Sequence, residues 1–427
     1  MSGNLGQSRT VHYAWTVLAT GLLVVFGALG LARFGYAMVL PAMQEALRLT
    51  NAQAGGLATA NLVGYLVLSL IGGALAARYG PRLVITAGLG VVAVGMLLTG
   101  GAAGFAGAAW WRMVTGIGSG ASNVPVMGLM SAWFVPRRRG LATGIAVTGS
   151  SVGLIALGSV VPGLLTRYQG DGWRACWLLF AVGAGGLTIL AGLVLRDHPS
   201  ALGLRPFGER AEDLPAPAAS GRVPWSEVYG SAHMWHIGVV YAAFGFSYII
   251  YMTFFAKYLI AEGGYAPPAA GRLFMLMGWI SLLCGLWGPV SDAIGRRRAL
   301  AIVYLLQAAS FGLFALWPAP PGPVLSAVLF GLTAWSIPAI MAAACGDLLG
   351  PRLAPAGLGF VTLFFGIGQA AGPSVAGLLA DAAHSFRPAF LLAAGAALLG
   401  AVGSLLLRST QPRPSAALLE QGARPAS

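Results

Sequence analysis

Residues Gly73–Arg82 read GALAARYGPR, and residues Gly288–Arg297 read GPVSDAIGRR. Each ends a long apolar run with small residues, then turns on a glycine flanked by arginines. The two stretches lie 215 positions apart. The same offset pairs Pro136-Arg137 with Pro351-Arg352, Gly144 with Gly359, and Val152-Gly153 with Ile367-Gly368. Several matches at one offset mark a chain built from two related halves.

Outward from these turns the sequence is apolar. The 427 residues are 57% hydrophobic and 9% charged, with a mean hydropathy of +0.78. Soluble domains carry about 25% charged residues, so a soluble globular protein is excluded. A bilayer core of about 30 Å takes roughly 20 apolar residues per helix. Twelve such runs begin near Tyr13, Gln53, Leu83, Ala108, Ala142, Arg174, Met234, Ala270, Leu300, Pro323, Gly357 and Pro388. None alternates apolar with polar residues, which excludes membrane strands. The 63 glycines sit within these runs, where small residues let helices approach closely. The first run is too long for a signal peptide and reads as an uncleaved helix.

The expected fold is therefore all-α, with twelve transmembrane helices in two pseudo-symmetric six-helix bundles. Residues 1–195 form the N-terminal bundle and 231–408 the C-terminal bundle. Residues 196–230, rich in Pro, Gly and charges, form a cytoplasmic linker, and 409–427 a cytoplasmic tail.

A formal charge of +13 raises the question of nucleic acid, but its distribution answers it. The basic residues fall in short clusters between apolar runs. With the N terminus inside, inner loops and tails hold 17 of them and outer connections six. That asymmetry places both termini in the cytoplasm of a multi-pass inner-membrane protein, with no nucleic-acid partner. Cys176, Cys284 and Cys345 lie in apolar stretches without metal-ligand spacing, and neither metal nor cofactor is expected. No nucleophile, base or metal cluster gathers within the helices, so an enzyme is not expected either.

The residues around the turns carry a resemblance. The stretch 288–297, with Asp292, Gly295, Arg296 and Arg297, resembles the G-x-L-x-D-R-x-G-R-R loop of the major facilitator superfamily. The first copy has Ala77 for the aspartate and Pro81 for a basic residue. Arg112, Gly116 and Gly118 match that superfamily's R-x-x-x-G-x-G pattern in helix 4. Residues 133–153 and 197–208 are similar to segments of the bacterial monocarboxylate and oxalate/formate-type carriers. The resemblance implies transport of a small anion by alternating access, by a carrier working as a monomer in the bilayer. Two departures stand out: no arginine lies in the middle of helix 8, where those carriers hold the substrate carboxylate, and the accompanying acid is missing.

Arg33, about 20 residues into helix 1, is the leading site candidate. A charge inside the membrane is costly and is a functional hypothesis by default. Its Arg-x7-Pro spacing to Pro41 is similar to that of organophosphate and organic-anion carriers, whose arginine grips the anion. Snorkelling, or a tie to helix 2 through Asn61, is the structural alternative. Tyr36, Asn61, Tyr65, Asn123, Ser150, Tyr248, Tyr251, Trp279, Trp335 and Gln369 are the mid-depth residues expected to line the site. Arg112, Asp292, Gly295, Arg296 and Arg297 are expected to gate, with Asp292 able to pair with arginines of the other half. All twelve acids lie in loops or at helix ends, which disfavours an internal proton relay. A proton-driven exporter of hydrophobic compounds and a transporter-like sensor without flux remain as alternatives.

Overall fold

The computed structural model describes residues 12–209 and 228–407, and of 351 and 352 only the backbone. Most of the expected linker and all of the expected tail at 409–427 lie outside the described residues. Among the described residues twelve long helices follow one another: α1 (Tyr13–Ala46), α2 (Asn51–Tyr79), α3 (Pro81–Gly100), α4 (Phe105–Trp133), α5 (136–168) and α6 (Gly172–Val194). After residue 227 follow α7 (Ala232–Ala261), α8 (Pro267–Ile294), α9 (Arg296–Leu316), α10 (Gly322–Gly350), α11 (Leu353–Ala383) and α12 (Arg387–Leu406). The starts lie within about a turn of those expected from hydropathy, except that α5 begins at Pro136, six residues before Ala142. At 1.5 Å per residue, a 20-residue helix such as α3 is just long enough to cross a bilayer core.

Glycine explains the close packing. A side chain at Gly64 would run into the carbonyl of Met113, and one at Gly116 into that of Asn61, so α2 and α4 touch backbone to backbone. Helices α1 and α5 cross the same way at Gly30 and Gly153. Bilayer lipid is as apolar as a leucine side chain, so such contacts, not hydrophobic burial, hold the bundles together.

The two halves also match in their turns. Gly80 (φ 87°, ψ 141°) and Gly295 (φ 89°, ψ 144°) hold the same left-handed conformation, which favours glycine. What braces the turns differs. Where the first copy lacks its aspartate, Asp197 after α6 accepts from the Arg82 amide at 2.7 Å and lies against Gly80. In the second copy Arg296 pairs with Asp292, reaches Asp347 of α10 at 2.9 Å and donates to Ser291 Oγ at 2.6 Å. Asp292 thus pairs inside its own bundle, not across to the other as expected.

The bundles meet unevenly. The face carrying His12 and residues 195–209 is the terminal face, and the opposite end is the far face. Among the described residues, every hydrogen bond between bundles lies at mid-depth or toward the far face. Asp381 at the end of α11 accepts from the Asn51 and Ala52 amides at 2.9 and 2.8 Å, capping α2 across the interface. Thr59 Oγ1 donates to the Ala370 carbonyl at 2.7 Å and accepts from Ser374 Oγ at 2.8 Å. Gly158 of α5 meets the Gly271 carbonyl of α8. The molecule is closed at the far face. Gly158→Leu should wedge this crossing open: quantification in the membrane fraction should show normal insertion, while the purified variant melts several degrees lower than the wild type. An unchanged melting temperature would mean that the crossing tolerates a side chain.

Candidate functional site

Helix α1 departs from α-helical winding at residues Phe26–Phe34, a π-helical segment. Such winding leaves carbonyls available to neighbours and often marks functional positions. Here Ala28 accepts from Ser119 Oγ, and Ala32 accepts from Arg112 Nη1 at 2.6 Å, both donors on α4. Arg33 follows directly and is 9% exposed, so it does not snorkel to an interface.

Three helices fix the Arg33 guanidinium. It lies 4.2 Å above the ring of Tyr65 on α2. Its Nη1 donates to Gln369 Oε1 of α11 at 3.0 Å, and Tyr248 of α7 donates its hydroxyl to the same oxygen at 3.0 Å. Asn123 of α4 donates to the Tyr65 hydroxyl at 3.0 Å. Tyr248 is steadied by near-parallel stacking on Phe244 and Phe365. Five of the expected residues — Arg33, Tyr65, Asn123, Tyr248 and Gln369 — are brought into one network across both bundles. Arg33 Nε and Nη2 are buried with no hydrogen-bond partner. A buried polar group left unpaired is costly, and a guanidinium more so.

Arg112 lines the same small cavity as Arg33. Arg33, Phe34, Tyr36, Ala37, Ala58, Asn61, Leu62, Arg112, Ile249, Met252 and Thr253 surround a space of about 10 Å³. The Arg112 guanidinium packs over Tyr36 at 4.8 Å and Trp177 at 5.2 Å, and its Nε is buried without a partner. Asn61 donates to the Arg112 carbonyl at 3.0 Å, not to Arg33. Tyr36 donates to the Ala54 carbonyl at 2.7 Å. No carboxylate lines the cavity. The arrangement suits a small anion, because planar guanidinium forks match carboxylate, sulfonate or phosphate oxygens.

Trp335 belongs to the bundle interface beside this cavity. Its Nε1 donates to Ser151 Oγ at 3.0 Å, Ser281 donates to the same oxygen at 2.7 Å, and its ring meets Phe34 at 5.6 Å. The bridging serine is Ser151, where depth alone had singled out Ser150. Two expected residues lie elsewhere. Tyr251 bonds Ser326 Oγ at 2.7 Å among Phe311, Phe314 and Phe330, inside the packed core of the second bundle. Trp279 is 57% exposed on the perimeter, beside Arg272 and Val324. Both sit at the right depth but on the wrong side of their helices. Asp292, Gly295, Arg296 and Arg297 lie at the terminal face, away from the cavity.

Two six-helix halves that close at one face around a central polar site define a membrane transporter of the major facilitator type. The chain belongs to the family described as "Uncharacterised MFS-type transporter YbfB", whose model matches residues 25–405. It is 25% identical over 400 residues to a probable sulfoacetate transporter of Cupriavidus necator, covering 88% of this chain and 89% of that one. It is 23% identical over 404 residues to a hexuronate transporter of Bacillus subtilis (90% and 91% covered). With monocarboxylate transporter 13 of Rattus norvegicus it shares 28% identity over 352 residues (79% and 76%). In fold it resembles the crystal structure of a bacterial homolog of the human lysosomal transporter Spinster, inward-facing and unoccupied. The TM-score is 0.76 at 16% identity, with 93% of this chain and 97% of that one covered. The chain is a multi-pass membrane protein and not an enzyme.

Proposed function

We propose that the protein carries a small organic anion, monocarboxylate-like or a close relative, across the inner membrane by alternating access. The observation that carries this reading is the Arg33 guanidinium, buried with two of its nitrogens unpaired and with no acid in its cavity. An anion would supply the missing partner. The relatives named for sulfoacetate, hexuronate and monocarboxylates support the same chemistry. A neutral hydrophobic cargo, as in an exporter of such compounds, would leave both arginines without counter-charge. The bundles 1–195 and 231–408 are the units that rock about the Ser151–Ser281–Trp335 contact, and the carrier acts as a monomer.

Flux of labelled sulfoacetate, glucuronate, tartrate, lactate and glucose into proteoliposomes tests the reading. Uptake of at least one anion, saturable and unaffected by excess glucose, is the expected result. Glucose uptake with no anion transported would sink it.

The terminal face is assigned to the cytoplasm from the 17-to-6 distribution of basic residues. Single cysteines placed at Gly203 and Gly264, both open positions, should then react with an impermeant thiol reagent from opposite sides. Labelling of both from one side would overturn the assignment.

A further inference from the structure

We infer that the transported anion carries two negative charges, one met by Arg33 and the other by Arg112. This rests on the reading that the Arg33 cavity holds the anion, and narrows that anion from a monocarboxylate to a small dianion by what the second arginine does there.

Both guanidiniums line the same cavity, and between them they leave three buried nitrogens without partners: Arg33 Nε, Arg33 Nη2 and Arg112 Nε. Packing alone would account for Arg112 Nη1, which is bonded to the Ala32 carbonyl, but it leaves Nε unanswered. Among the described residues, every acid lies in a loop or at a helix end, so the protein supplies no counter-charge to either arginine at this depth. A monoanion would neutralise one guanidinium and leave the other desolvated when the site closes. A dianion answers both.

The rest of the lining adds no further charge. Phe34, Ala37, Leu62, Ile249 and Met252 are apolar, and Tyr36, Asn61 and Thr253 add neutral polar atoms. At about 10 Å³ the cavity has room for about one water, so neither guanidinium is freely solvated there.

Matched pairs test the second charge on the purified full-length carrier near pH 7.5. Sulfoacetate is compared with isethionate, which has a hydroxymethyl group in place of the carboxylate, and malonate with its half-amide. Lactate serves as a further monoanion. Affinities come from ligand-induced thermal shift and intrinsic tryptophan fluorescence. In the wild type each dianion should bind at least about tenfold more tightly than its partner, the scale of one charge-assisted contact. In Arg112→Gln that ratio should collapse to near unity, and Arg112→Lys should keep part of it. The wild-type ratio needs no variant, so it decides the matter even if Arg112→Gln fails to fold. Equal binding within each pair, or lactate binding as tightly as either dianion, overturns the inference. If that binding still requires Arg33, the anion-carrier reading survives on its own. If none of the five compounds binds, this inference fails along with the reading beneath it.

Discussion

Arg33→Ala is expected to abolish saturable anion uptake while the protein still inserts and folds. The variant removes the only charged group in the network formed by Tyr65, Asn123, Tyr248 and Gln369. Truncating one partner of a buried, hydrogen-bonded charge pair costs about 2–5 kcal/mol, or roughly 30-fold and more in affinity. The bundles do not depend on this side chain, because their contacts at Gly158, Thr59 and Asp381 lie elsewhere. Arg33→Lys should keep the charge yet transport weakly. A lysine cannot hold Gln369 through one edge and offer two further N–H groups through another. Uptake and ligand-induced thermal shift on both variants are the measurements. Transport by Arg33→Ala at near wild-type affinity would end the anion-carrier reading and bring the hydrophobic exporter forward.

Gln369→Glu should be nearly as damaging, for the opposite reason. It would place a carboxylate where a neutral oxygen now lies 3.0 Å from Arg33 Nη1. The guanidinium would then have a permanent internal anion, and a transported one would have to compete with it. Two unit charges 4 Å apart attract by about 4 kcal/mol at an effective dielectric of 20, enough to lower ligand affinity well beyond tenfold. Gln369→Ala removes the hydrogen bond without adding charge, so its effect should be several-fold milder. Isothermal titration of both variants with sulfoacetate and lactate separates the two effects. Equal affinity in the Glu variant and the wild type would show that Gln369 does not share a site with the anion.

Much of the candidate site was legible in advance. Arg33, Tyr65, Asn123, Tyr248 and Gln369 were found by depth and polarity, because polar groups in the middle of apolar runs are few. Arg112 was noticed but read as a gate. Its place in the Arg33 cavity depends on the π-helical segment of α1, which brings the Ala32 carbonyl to α4. The Asp381 cap on α2 was invisible, since it joins positions 330 residues apart. Asp197 stands in for the aspartate missing at Ala77, although 115 residues separate it from Arg82.

The sequence by itself determined the number of helices, the duplicated halves, the glycine turns at Gly80 and Gly295, and the depth of each polar residue. These follow from a solvent of fixed thickness, which makes apolar run length and interruption directly readable. Only the tertiary structure decided which way each helix faces. It turned Ser151 and not Ser150 to the other bundle, put Tyr251 in a core, and left Trp279 on the perimeter. In water, an apolar stripe would have announced the buried face. In a bilayer, lipid and protein interior are equally apolar, so helix rotation is set by close packing of small residues and by paired polar groups, which hydropathy does not record.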